Sequence, residues 1–128
     1  MRLIDYLDKG AQLGAASPCL TMGAADLSYG DVQRISHRVA RGLQRAGIAA
    51  GDMVAVLSSN DAQAFACVFG ISRAAGVWCP VNPRNEASEN RFVLDAFDCA
   101  AQVRFLAPAF DEHLGQRQFE GIALQRAN

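Results

Sequence analysis

Lysine is nearly missing from this chain. Of its twelve basic residues only Lys9 is lysine, and the rest are arginine. Chemistry that needs a lysine must use Lys9 or do without it. Histidine is scarce as well: only His37 and His113 occur. The four cysteines, Cys19, Cys67, Cys79 and Cys99, form no C-x-x-C pair and share no ligand spacing with a histidine. A zinc site is therefore not expected. Excess charge is missing too. A net charge of −1 makes no electrostatic case for nucleic acid or for an anionic membrane. The apolar run Ala62 to Ser72 is shorter than the roughly 20 residues that span a bilayer. The start, M-R-L-I-D-Y-L-D-K-G, carries charges inside its apolar run and does not read as a signal peptide. Cysteines set in apolar runs behave as small hydrophobes and suit a reducing cytosol. A cytoplasmic location is expected, and the arginine- and alanine-rich usage suits a GC-rich bacterial genome.

What is present is ordinary for a packed protein. The chain has 128 residues, 51% apolar and 20% charged, which predicts one domain with a real core. Leu3, Ile4 and Leu7 predict a short amphipathic helix ending at Gly10. A small-residue linker, A-Q-L-G-A-A-S-P, follows it. Cys19 to Met22 and Leu27 to Tyr29 predict a β-hairpin, turned over the four residues Gly23-Ala24-Ala25-Asp26. Ser28 and Asp31 have capping-box spacing. They open the clearest helix, with Val32, Ile35, Val39, Leu43 and Ala46 on one face and Gly47 as its stop. Met53 to Leu57 reads as a central strand buried on both sides. The run Ala62 to Ala75 reads as a helix that is apolar nearly all round, with Gly76 taking the positive φ at its end.

The stretch Val77-Trp78-Cys79-Pro80-Val81-Asn82-Pro83-Arg84 predicts a short strand that stops at Pro80. A loop stiffened by two prolines follows it. A helix from near Glu86 should bury Phe92, Val93, Ala96 and Phe97. Asp98-Cys99-Ala100-Ala101 then turns into a strand over Val103 to Leu106, ended by Pro108. A short helix over Ala109 to Leu114 and a strand near Ile122 close the chain. The predicted fold is α/β: a mainly parallel sheet with helices on both faces, joined by right-handed crossovers, plus an N-terminal hairpin. In such sheets ligands bind at the carboxyl ends of the strands.

Three motifs stand in order along this plan. Leu27-Ser28-Tyr29-Gly30-Asp31-Val32 is similar to the opening motif of adenylate-forming enzymes. L-Q-R-A-G-I-A-A-G-D-M-V-A from Leu43 resembles their L-x-x-x-G-(V/I)-x-x-G-D-x-V-A turn. R-A-A-G-V-W-C-P-V-N-P-R from Arg73 resembles their A-G-A-x-x-x-P-(V/L)-N-P-R, in the form typical of acyl- and aryl-CoA ligases. The resemblance runs from about Leu3 to Leu106. It implies the first subdomain of the large domain of an AMP-forming acid–CoA ligase. Such an enzyme uses ATP, Mg and CoA to turn a carboxylic acid into acyl-CoA, AMP and pyrophosphate. The Ser/Thr/Gly-rich phosphate loop with its lysine, the ribose-binding motifs and the C-terminal catalytic lysine of that family have no counterpart here, and Lys9 is in the wrong place. The expectation is a piece of the parent enzyme, inactive and without bound cofactor alone, that self-associates when separated from the remainder of its large domain. The acid pocket is expected mostly in later segments.

Arg84 is the one residue the resemblance carries to a ligand. In CoA-ligase relatives an arginine of this loop lies near the CoA nucleotide, and a planar guanidinium suits phosphate. Pairing with Glu86 or Glu89 is the alternative. Cys79 is read as core rather than nucleophile. The stripe Arg34, Arg38, Arg41 and Arg45 is either a phosphate track or a solvated face. The Ser58 to Asp61 turn either holds an anion at a helix N-terminus or caps that helix. His37 and His113 are read as solvated. A stand-alone α/β association module without activity is the second functional reading.

Overall fold

The computed structural model describes residues 1–58, 61–105 and 122–126. In order these form α1 (Leu3–Gly14), β1 (Pro18–Met22), β2 (Ala25–Ser28), α2 (Tyr29–Arg45), β3 (Met53–Leu57), α3 (Ala62–Arg73), β4 (Val77–Val81), α4 (Ala87–Ala96), β5 (Ala101–Phe105) and β6 (Ile122–Arg126). The strands β1 and β2 make a separate antiparallel hairpin, and the main sheet has the order β4-β3-β5-β6. Within it β3 is parallel to both β4 and β5, while β6 runs antiparallel to β5. The expected α/β plan, with a parallel sheet and an N-terminal hairpin, is what the chain adopts.

Alternation along the strands sorts the core onto two faces. Val54, Val56, Ala101 and Val103 meet α1, α2 and α3 on one side. Ala55, Cys79, Val81 and Cys99 meet Val93 and Leu94 of α4 on the other. Between α2 and α3 the backbones come very close. A Cβ on Gly70 would lie 2.4 Å from Val39 Cβ and 3.1 Å from the Ser36 carbonyl. Only a residue without a side chain fits that crossing.

Three helices stop in the same way. The residue after each C-cap takes a left-handed conformation: Gly47 (φ 83°), Ala75 (φ 60°) and Asp98 (φ 49°). The next N–H then reaches back to a carbonyl of the last turn. Ile48 donates to Leu43 at 3.1 Å, Gly76 to Ile71 at 2.9 Å and Cys99 to Leu94 at 3.0 Å. These are Schellman closures. At the second, the positive φ falls on Ala75 and not, as expected, on Gly76. Gly76 meets a different need, since a Cβ there would press within 3.1 Å of Ile71 Cγ2.

Other expectations need correction. Helix α1 runs past Gly10 to Gly14; Gly10 instead makes room for the Tyr29 ring, which a Cβ would meet at 2.3 Å. The hairpin turn is two residues, with Met22 opposite Ala25 and Gly23 at φ 61°, as type II′ turns require. Strand β4 continues through Pro80 to Val81. The Val77 N–H donates to Asp52 in the loop before β3, so by alternation the missing N–H of Pro80 faces the open edge, where it is tolerated. Strand β5 starts at Ala101, two residues early. Helix α3 is not an outer surface: seven of its residues are buried. Helix α4 tucks in Val93 and Leu94 and leaves Phe92 73% and Phe97 55% exposed. The expected helix over Ala109 to Leu114 and the stop at Pro108 lie outside the described residues.

One polar cluster joins the three helices on the first face. Arg73 grips Asp8 with two bonds, Nη2 to Oδ1 at 2.6 Å and Nη1 to Oδ2 at 3.1 Å. Its Nε donates to Ser36 Oγ at 3.0 Å, and Gln33 also donates to Asp8. The Arg73 hydrogen bonds hold the Asp8 carboxyl below its ordinary pKa, against a smaller opposing effect of burial.

Candidate functional site

The carboxyl ends of β3 and β4 open into a groove of about 570 Å³. Its walls come from three elements. Thr21 and Met22 line it from the hairpin, Phe65 and Val68 from α3, and Trp78 and Pro80 from β4. Val54 pairs with Trp78 and Val56 with Pro80, so Trp78 and Pro80 share the α3 side of the sheet. Phe65 stands edge-on to Trp78, with ring centroids 6.4 Å apart. The floor is apolar.

At the rim, Asp61 closes the N-terminus of α3. Its Oδ1 accepts from Gln63 N at 2.8 Å and from Ala64 N at 3.3 Å. The capping alternative for this turn is therefore the observed one. A carboxylate already occupies the positive end of the helix. A nucleotide phosphate does not fit there, because it would meet Asp61 and no lysine lines the groove. Among the described residues no group of His, Cys, Asp and Glu is arranged to hold a metal ion.

Beyond β4 the chain makes a tight turn over residues 82–85. Asn85 N donates to the Asn82 carbonyl at 3.2 Å, and Asn82 Oδ1 accepts from Arg84 N at 2.9 Å. Asn at the first position and Pro at the second are the residues such a turn prefers. Arg84 is thereby held by its backbone at the carboxyl edge of the sheet, with its side chain exposed. Pairing with Glu86 or Glu89 is not seen: none of the ion pairs among the described residues includes Arg84. Glu89 instead accepts from Glu86 N at 3.1 Å. A fixed, uncommitted guanidinium is suited to an anionic ligand.

The remaining candidates are structural. Cys79 is buried in the cluster under α4. Burial raises the Cys67 thiol to about 12. Burial and contact with Cys79 raise Cys99 to about 11. Arg34, Arg38, Arg41 and Arg45 lie on the exposed side of α2, with His37 on its flank; Arg34 pairs with Asp31. His113 lies outside the described residues. The groove walls were missed in the sequence. The one local signal was the Trp78-x-Pro80 alternation; the meeting of hairpin, α3 and β4 is a tertiary event.

Comparison with known proteins decides the family. The sequence pattern of the family described as AMP-binding enzyme matches residues 7–125. The chain belongs to this family. AMP-binding enzymes similar to it include indoleacetate–CoA ligase of Aromatoleum aromaticum, 30% identical over 86% of this chain and 21% of that protein. The fatty acid–[acyl-carrier-protein] ligase ScoC of Streptomyces coeruleorubidus is 32% identical over 84% of this chain and 20% of its own length. A putative long-chain-fatty-acid CoA ligase from Rhodopseudomonas palustris superposes with a TM-score of 0.75 at 28% identity, covering 81% of this chain and 26% of that one. The chain thus spans about a fifth of the length of these curated relatives. It is part of a larger adenylate-forming domain. Among the described residues no helix is long and apolar enough to cross a membrane.

Proposed function

We propose that this chain is the opening part of an ATP-dependent acid–CoA ligase, which joins a fatty or aromatic carboxylic acid to CoA with release of AMP and pyrophosphate. In this reading the whole enzyme works in the cytoplasm with ATP, Mg and CoA, and the 128 residues alone bind none of them productively. The observation that carries the reading is the Asn82-Pro83-Arg84 turn at the sheet's carboxyl edge, within a family match over residues 7–125. Relatives whose names specify CoA ligation support it. Arg84 contacts a phosphate of CoA and acts by binding, not by moving protons. ATP supplies the activation of the acid, and the groove residues described above take no part in holding its phosphates. The test is Arg84→Ala in the complete enzyme. A rise in KM for CoA of about tenfold, with KM for ATP unchanged, is expected for one lost charge-assisted contact. An unchanged KM for CoA refutes the role.

The exposed Phe92 and Phe97 on α4 favour a second reading, an α/β piece that associates with its own copies. Sedimentation of the isolated chain at high concentration tests it: oligomers that Phe92→Ser disperses support it, and a clean monomer contradicts it.

A further inference from the structure

We infer that the groove between β1, α3 and β4 is an internal docking surface. Its occupant is an apolar segment from the rest of the same adenylate-forming domain. The inference rests on the proposed membership in a whole ligase. Several observations converge on it. Met22, Phe65 and Trp78 remain 41%, 44% and 42% exposed around one groove, although this chain buries most of its other large apolar side chains. Clustered apolar exposure marks a contact surface, whereas scattered exposure does not. The relatives carry about four-fifths of their length beyond the matched part, so covering chain is available in the same molecule.

The chemistry of the walls selects the occupant. Asp61 fills the helix end, so an anion is excluded. The open edge of β4 offers the Trp78 N–H but no N–H at Pro80, so an added strand would find an incomplete ladder. What fits is side chains inserted between Phe65, Val68 and Trp78. A covering segment from the same chain also has a high effective concentration, which a second copy lacks.

The test compares the same substitutions in two contexts. Met22→Gln with Phe65→Gln is made in the isolated chain and in the whole enzyme, beside Leu13→Gln, a control whose side chain is 82% exposed. In the isolated chain the double variant changes Tm by less than about 2 °C, because both positions are half open there. In the whole enzyme it lowers Tm by about 5 °C or more, while the control does not. Equal Tm in variant and wild-type whole enzyme overturns the proposal. So does an equal fall in both contexts, which would make the residues merely structural. A dimer of the isolated chain that Phe65→Gln dissociates, with the whole enzyme unmoved, assigns the groove to a second copy and also overturns it. A whole enzyme that makes acyl-CoA but shows no Tm change refutes the docking surface alone. One that shows the change but activates no acid refutes the ligase reading alone.

Discussion

Gly70→Ala tests the crossing of α2 and α3, on which the first core face depends. The new methyl carbon would sit 2.4 Å from Val39 Cβ and 2.5 Å from its Cγ1, with the Ser36 carbonyl at 3.1 Å. Ordinary carbon contacts need about 3.5–4.0 Å. Val39 Cβ is fixed to the α2 backbone, so no rotamer change relieves the overlap. The helices must part by about 1 Å, loosening Leu43, Ile71 and Val39 together. Overpacking of this kind costs about 3 kcal/mol, the upper end of its usual range. Urea unfolding followed by circular dichroism measures it. With a slope of about 1.5 kcal/mol/M the midpoint falls by about 2 M. Val39→Ala should partly rescue Gly70→Ala, so that the double variant loses less than the sum of the singles. A midpoint shift below about 0.3 M, or strict additivity, would refute the close crossing.

Three further outcomes are expected. Ala75→Gly removes a left-handed alanine with an exposed side chain and should stabilise the chain by about 1 kcal/mol in the same urea assay. Asp8→Asn leaves the mostly buried Arg73 guanidinium without its carboxylate and should cost about 2 kcal/mol near neutral pH. Because the folded Asp8 is held below its ordinary pKa, its contribution is present above about pH 4 and is lost as pH falls through the lower folded value. The gap between wild type and Asp8→Asn should therefore close under acid titration, and a gap independent of pH would contradict the pair. Cys67, raised to about 12, should stay unreacted with a thiol reagent at pH 8 until the chain unfolds; rapid labelling of the folded chain would contradict its burial.

Local signals were legible in the sequence, and tertiary ones were not. The Ser28–Asp31 box is observed in both directions, at 3.0 and 3.1 Å, because its partners are three residues apart. Gly47 closes α2 as read, for the same reason. The stop at Gly10 failed because a glycine read as a terminator was a seat for Tyr29, a residue from another helix. Pro80 failed as a strand end because its tolerance depends on β4 being an edge, which sheet order alone decides. Phe92 and Phe97 were read as core because an amphipathic pattern does not say which partner is present. Arg73 was read only as part of a motif; its tie to Asp8 spans 65 residues. At the candidate site the Asn-Pro-Arg turn was legible from turn chemistry, whereas the groove required three distant segments to meet.

The most direct measurement is acyl-CoA formation by the complete enzyme across a panel of fatty and aromatic acids with ATP and CoA, with the isolated chain run in parallel. The account predicts acid-dependent pyrophosphate release and a CoA thioester from the complete enzyme, a higher KM for CoA in its Arg84→Ala variant, and no turnover by the isolated chain. Turnover by the isolated chain, or acid activation by the complete enzyme with no thioester formed on CoA, would contradict it.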